Sequence, residues 1–156
     1  MLKIYTWPKN TDLHAISAFA ALKNQPGLKA LYRFGIITLH AEKPLDTKNV
    51  MQLLTDYDCL INPNNTAFSL TEPEFLEHPS YDSYCLNITD KTPVSYADRV
   101  AIINQLGVIH ITDMQHNHAW GIHMQAGIHE SDVVDTIVEP LLVNTIGETY
   151  TLTRGR

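Results

Sequence analysis

The sequence predicts an α+β fold built from two ferredoxin-like (βαββαβ) repeats whose antiparallel sheets pack as a pseudo-twofold pair. Three observations point there. The order strand, helix, hairpin, helix, strand is legible twice along 156 residues. The stretch "CLINPNNTAFSL" at 59–70 returns in altered form as "LLVNTIGETYTL" at 141–152. Paired residues fall at the same points of the two units: Gly27 with Gly107, Gly35 with Gly121, and Asn62 with Asn144. The division is residues 1–72, a linker at 73–83, and residues 84–156. Two helices cover only one face of a small sheet, and a unit of about 70 residues has little core of its own, so the two units are expected to close their open faces or edges on each other.

In the first unit, "LKIYT" at 2–6 alternates as a half-buried strand does, and Pro8 ends the run. A helix follows, capped by Asp12 or Thr11, with Leu13, Ile16 and Ala20 at helical spacing, and "KNQPG" stops it. "LKALYRFGIITLHAE" reads as two strands folded back near Phe34–Gly35, since glycine accepts the positive φ of a tight turn. A second helix starts after Asp46 or Thr47 and buries Val50, Leu53, Leu54 and Tyr57. The last strand sets Phe68 and Leu70 on one face.

The second unit repeats that order. "YCLNIT" is a strand, and "SYADRVAIINQLG" is a helix capped by Ser95, with Tyr96, Val100 and Ile103 on one side and Gly107 at its end. "VIHITDMQHNHAWGIHMQAG" is a longer hairpin with "HNH" at its tip. Ser131 caps a helix whose inner stripe is Val134, Ile137, Val138 and Leu141, and "ETYTLT" closes the unit with Tyr150 and Leu152 where Phe68 and Leu70 stood. The connecting "TEPEFLEHPSYDS" reads as a polar, solvated linker with one helical turn at "PEFLEH".

Composition narrows the partners. An apolar content of 44% supports a packed core, and the net charge of −6 argues against nucleic acid and anionic membranes, both of which need a concentrated basic surface. No apolar run has the length of a membrane span and the N-terminus "MLKIYTWPKN" lacks a signal-peptide block, so a soluble, cytoplasmic protein is expected. Cys59 and Cys85 lie in apolar strand-like runs without a CxxC pair and read as buried, reduced thiols.

The run "LYRFGIITLHAE", followed by a helix and then "LINPNNTAFSL", is similar to the PurS family, the small subunit of the bacterial phosphoribosylformylglycinamidine synthase complex. The family carries an Arg-apolar-Gly segment entering a strand, and a helix ending in Leu-x-Asn-Pro or Leu-x-Asn-Thr. Leu60-Ile61-Asn62-Pro63 resembles the first ending and Leu142-Val143-Asn144-Thr145 the second. Family members are single units of about half this length that dimerise, so the chain looks like two subunits fused. It departs from the pattern at Ile36, where a lysine is common, and at Ala119, the counterpart of Arg33. The resemblance implies a subunit with no catalysis and no cofactor of its own. Its implied partners are a glutaminase subunit, which releases ammonia, and an ATP-using synthase subunit, with further homo-oligomerisation possible. Bridging the two would help enclose a path that keeps ammonia neutral and close to its target.

Catalytic signatures are missing from the sequence. A glutaminase thiol belongs in a Gly-x-Cys-x-Gly turn, whereas these cysteines stand in "YDCLIN" and "SYCLNI". No G-x-x-x-x-G-K-[ST] loop is present. Five of the eight histidines fall between residues 110 and 129; His116 and His118 share a strand face and, with a cross-strand His123, could form a three-nitrogen zinc or copper site. The plainer reading is an exposed polar loop tip. Arg33 is either a solvated strand-end residue or a dock for a partner carboxylate. Asn62 and Asn144 are turn caps or partner contacts, with Pro63 beside the first. Trp7 and Trp120 are packing residues, although Trp120 beside Gly121 could anchor an interface. The interface candidates are thus Arg33, Gly35, Asn62, Pro63, Trp120 and Asn144. Two other functions stay open: a regulatory module holding a small metabolite between the two halves, and a metal-binding protein using the second hairpin.

Overall fold

The computed structural model describes residues 1–10, 12–22 and 24–155. Alternation at the N-terminus produces β1 (Leu2–Pro8), with Ile4 wholly buried. Helix α1 (Leu13–Leu22) is capped by Asp12, whose Oδ1 accepts from the backbone N–H groups of His14 at 3.0 Å and Ala15 at 3.2 Å. Thr11, the alternative cap, lies outside the described residues. There follow β2 (Leu28–His40), α2 (Thr47–Asp56) and β3 (Thr66–Ser69). A 3₁₀ turn at Glu74–Leu76 leads to β4 (Tyr81–Asp90), α3 (Ala97–Gln105) and β5 (Asp113–Gln125). Helix α4 starts at Glu130–Val133 and continues as a π-helical segment, Val134–Leu142, before β6 (Glu148–Arg154). Asp46 caps α2, with Oδ1 accepting from Lys48 N–H at 2.9 Å.

Neither expected hairpin exists. Residues 28–40 and 113–125 are continuous strands, so each half of the sequence runs β-α-β-α-β, and the expected pair of sheets is one antiparallel sheet of six strands in the order β3-β1-β2-β5-β4-β6. Gly35 serves close packing instead of a turn. Gly35 lacks the left-handed φ seen at Gly27 (83°) and Gly107 (72°). A Cβ on Gly35 would lie 2.7 Å from Thr6 Oγ1 and 2.9 Å from His116 Nε2, so the strand there must be bare backbone. Gly121 has the same role, since its Cβ would meet Leu76 Cδ2 at 2.9 Å. Gly27 and Gly107 do follow α1 and α3 as the sequence indicates.

The chain forms two compact units that are interleaved in sequence, one of Met1–Asn10, Gly35–Thr71 and Val94–His116, the other of Thr11–Phe34, Glu72–Pro93 and Asn117–Arg156. The first unit contains β1, the later part of β2, α2, β3, α3 and the start of β5. Its core joins Ile4, Leu39 and Leu54 from early in the chain to Ile103, Ile111 and Met114 from late in it. The second unit contains α1, the beginning of β2, β4, most of β5, α4 and β6. Its core joins Leu22, Leu28 and Leu31 to Leu86, Ile122 and Ile137. Each unit therefore has four strand segments and two helices, drawn from both halves of the sequence.

Local packing changes two stripes. In α1 only Leu22 is buried; Leu13 and Ile16, expected inside, are 71% and 53% exposed. In α4 the buried residues are Val133, Ile137, Val138 and Leu142, and Leu141 faces out. Pro140 explains the shift. It has no N–H to give and its ring crowds the preceding turn, so the helix widens, and Val143 N–H reaches back five residues to Val138 C=O at 3.0 Å. Ser131 falls inside the first turn of α4, whose N-cap is His129. Among the described residues no helix is long and apolar enough to cross a membrane.

Candidate functional site

The repeated asparagines build the same turn twice. Asn62 Oδ1 accepts from Asn64 N–H at 3.0 Å, and Asn62 C=O accepts from the N–H groups of Asn65 and Thr66. Asn144 Oδ1 accepts from Ile146 N–H at 3.2 Å, and Asn144 C=O accepts from the N–H groups of Gly147 and Glu148. Two lysines that sequence reasoning missed complete the match. Lys9 donates through Nζ to Pro63 C=O at 2.6 Å, and Lys91 donates through Nζ to Thr145 C=O at 2.8 Å. Their backbone N–H groups bond Asn65 C=O and Gly147 C=O, each at 2.9 Å. The signal was available: each lysine follows a first strand at the same sequence distance from its asparagine. These are turn-fixing bonds, and Asn62 and Asn144 remain exposed on their outer sides.

A buried polar cluster lies in the second unit. His123 Nε2 sits 2.7 Å from Phe75 C=O, and His123 Nδ1 sits 2.9 Å from Ser83 Oγ. A carbonyl only accepts, so Nε2 holds the ring proton and Nδ1 accepts from the Ser83 hydroxyl. A hydroxyl donating to an imidazole is half of a nucleophile and base pair, but Ser83 and His123 are only 5% and 3% exposed. The pair instead ties the 3₁₀ turn to the sheet. Phe75 reinforces it with ring contacts to Tyr32 at 5.1 Å and Phe34 at 6.0 Å, and Leu76 is buried over Gly121. Residues 74–76, read from sequence as a solvated linker, thus pack against the strands because two apolar side chains stand among the acids.

The three histidines proposed as metal ligands are not gathered. Without a hairpin, His116 and His118 occupy one face of β5 and His123 the other, because side chains on a strand alternate. His116 and His118 are exposed and His123 is buried. Among the described residues no group of three or more His, Cys, Asp or Glu side chains is placed to hold a metal.

The interface candidates are spread over both units. Gly35, Asn62 and Pro63 belong to the first, Arg33, Trp120 and Asn144 to the second. Arg33 is half-buried on β2, Gly35 is buried, and Trp120 packs against the core of its unit. Cys59 and Cys85 are half-buried and in no disulfide, and burial pushes the Cys59 thiol up, away from the reactive thiolate form.

One ion pair at the surface of the second unit carries a pH signature. Asp82 Oδ1 lies 2.9 Å from Arg154 Nη2, and its Oδ2 accepts from Gly127 N–H at 3.2 Å. The Gly127 hydrogen bond, then Arg154, hold the carboxyl below the usual aspartate range. A depressed carboxyl contributes stability that is present above its unfolded pKa and is lost as pH falls through the folded value. Asp82→Asn should therefore be less stable than the parent at pH 7 in urea titrations, with the difference closing as the medium is acidified below about pH 4. A difference that persists unchanged at pH 2 would assign the effect to something other than this charge.

No model of a known protein family matches the chain, and no curated protein matches it either.

Proposed function

We propose that this chain is a tandem PurS-like subunit, two ferredoxin-like units fused by duplication, that bridges a glutaminase and an ATP-using synthase in the amidotransferase complex converting formylglycinamide ribonucleotide to its amidine. The observation that carries this reading is the asparagine turn, repeated bond for bond at 62–66 and 144–148 with its own lysine tie each time. It falls on the Leu-x-Asn-Pro and Leu-x-Asn-Thr segments that carry the family resemblance, and a shared origin for the two halves accounts for it more simply than two separate inventions. The Ser83 and His123 pair is sealed, which fits a protein that acts through surfaces. In this reading the chain works in the cytoplasm, uses no cofactor, and contributes walls that keep released ammonia out of bulk water, where protonation would end its nucleophilicity.

The test is co-purification. The tagged chain, mixed with the glutaminase and synthase subunits in the presence of glutamine and a nucleotide, should retain both. Recovery of neither partner, with the chain itself folded by circular dichroism, would remove the bridging role.

A further inference from the structure

We propose that the outer face of α1 is a self-association surface, on which a second copy of this chain lays its own α1 antiparallel across a twofold axis. This goes beyond the bridging role and does not depend on it. Leu13, Ile16 and Phe19 are 71%, 53% and 36% exposed, and they recur at the spacing of one helix face. Beside them a groove of about 470 Å³ runs between α1 and the start of β2, walled by Ala15, Ile16, Ala20, Ala30 and Tyr32 with Lys29 on its rim. Exposed apolar surface gathered on one helix and continued in a groove marks an interaction site, because scattered exposure would leave no continuous patch to desolvate.

Charge selects the occupant. Leu13–Leu22 contains no charged residue, in a protein whose net charge is −6. On an anionic chain this uncharged stretch is a place where two copies can meet without repulsion. Among the described residues the charges at the margins are Asp12, which caps the N-terminal end of α1, and Lys29, which lines the groove from the start of β2, the strand that follows the C-terminal end of α1. An antiparallel copy sets each Asp12 end toward the other copy's Lys29 end and opposes the two helix dipoles, whereas a parallel copy would set like against like. An axis between Ser17 and Ala18 brings Phe19 of one copy opposite Ile16 of the other, beside the hollow walled by Ala15 and Ala30. Both copies make the same contact, as a closed twofold pair requires.

Sedimentation equilibrium of the full chain from micromolar to millimolar concentration tests this. The average mass should rise from the 17.6 kDa of one chain toward twice that value. Phe19→Glu should raise the dissociation constant at least about tenfold, since it buries an unpaired charge at the centre of the contact. Lys29→Glu should weaken association at low salt and lose most of its effect at high salt, and it serves as the independent probe if Phe19→Glu does not fold. Ile146→Glu, at a residue 88% exposed in a different turn, should leave the dimer unchanged. A single-chain mass at every concentration overturns the proposal, and so does a dimer that Lys29→Glu or a folded Phe19→Glu leaves intact.

Discussion

Expressed alone, residues 1–72 remain unfolded, and mixing them with residues 73–156 restores the structure. This is the largest effect expected of the molecule, and it follows from the origin of each core. Ile4, Leu39, Val50 and Leu54 are packed in one cluster with Ile103, Ile109, Ile111 and Met114, so the early segment by itself leaves its strands with one side open. Each fully buried aliphatic side chain contributes about 1.5–3 kcal/mol, and a domain is stable by only about 5–15 kcal/mol, so losing four such residues removes an amount comparable to the whole margin. Leu22 and Leu28 meet the same difficulty, because their neighbours Leu86, Ile122 and Ile137 all lie beyond residue 80. Far-ultraviolet circular dichroism of the fragment, its complement and their equimolar mixture measures this. A fragment 1–72 that melts cooperatively without its complement would contradict the interleaved cores.

His123→Leu should cost about 2–4 kcal/mol in urea denaturation, although leucine is similar in bulk. The imidazole satisfies two buried groups at once, Phe75 C=O through Nε2 and the Ser83 hydroxyl through Nδ1. Leaving a buried polar group unpaired costs about 1–3 kcal/mol, and leucine leaves both. Adding Ser83→Ala to His123→Leu should return part of the loss, since a hydroxyl that is absent needs no partner. If the double variant is no more stable than His123→Leu, the Ser83 contact has no energetic weight. The substitution should also release the 3₁₀ turn, exposing Phe75 and Leu76 to limited proteolysis between residues 71 and 80 in a way the parent resists.

What could be read from the sequence was local. Asp12 and Asp46 announced their caps, Gly27 and Gly107 their helix ends, and Asn62 and Asn144 their turns, because each depends on bonds spanning a few residues. The α2 stripe of Val50, Leu53 and Leu54 is buried as its spacing indicates. What could not be read depends on distant neighbours. Gly35 looks like a turn residue in isolation, and only the crowding by Thr6 and His116 shows that it, like Gly121 under Leu76, is a space left for other side chains. Strand continuity through Gly35 and through the His116–His118 segment then removes both hairpins, turns His123 away from His116 and His118, and takes with it the basis for a three-histidine site. Leu13 and Ile16 fall at helical spacing yet face outward, because periodicity alone does not tell which side of an apolar helix meets the protein. The acids around Phe75 and Leu76 masked an anchored segment in the same way.

The pairing of early with late segments also sets conditions on synthesis. A ribosome delivers Ile4, Leu39 and Leu54 well before Ile111 and Met114 leave the exit tunnel, and at about 5–20 residues per second the interval lasts several seconds. Throughout it the nascent chain shows unsatisfied apolar strands and the uncharged segment Leu13–Leu22 to the surrounding water. Slowing elongation over the last third of the message lengthens that exposure and should lower the yield of folded protein.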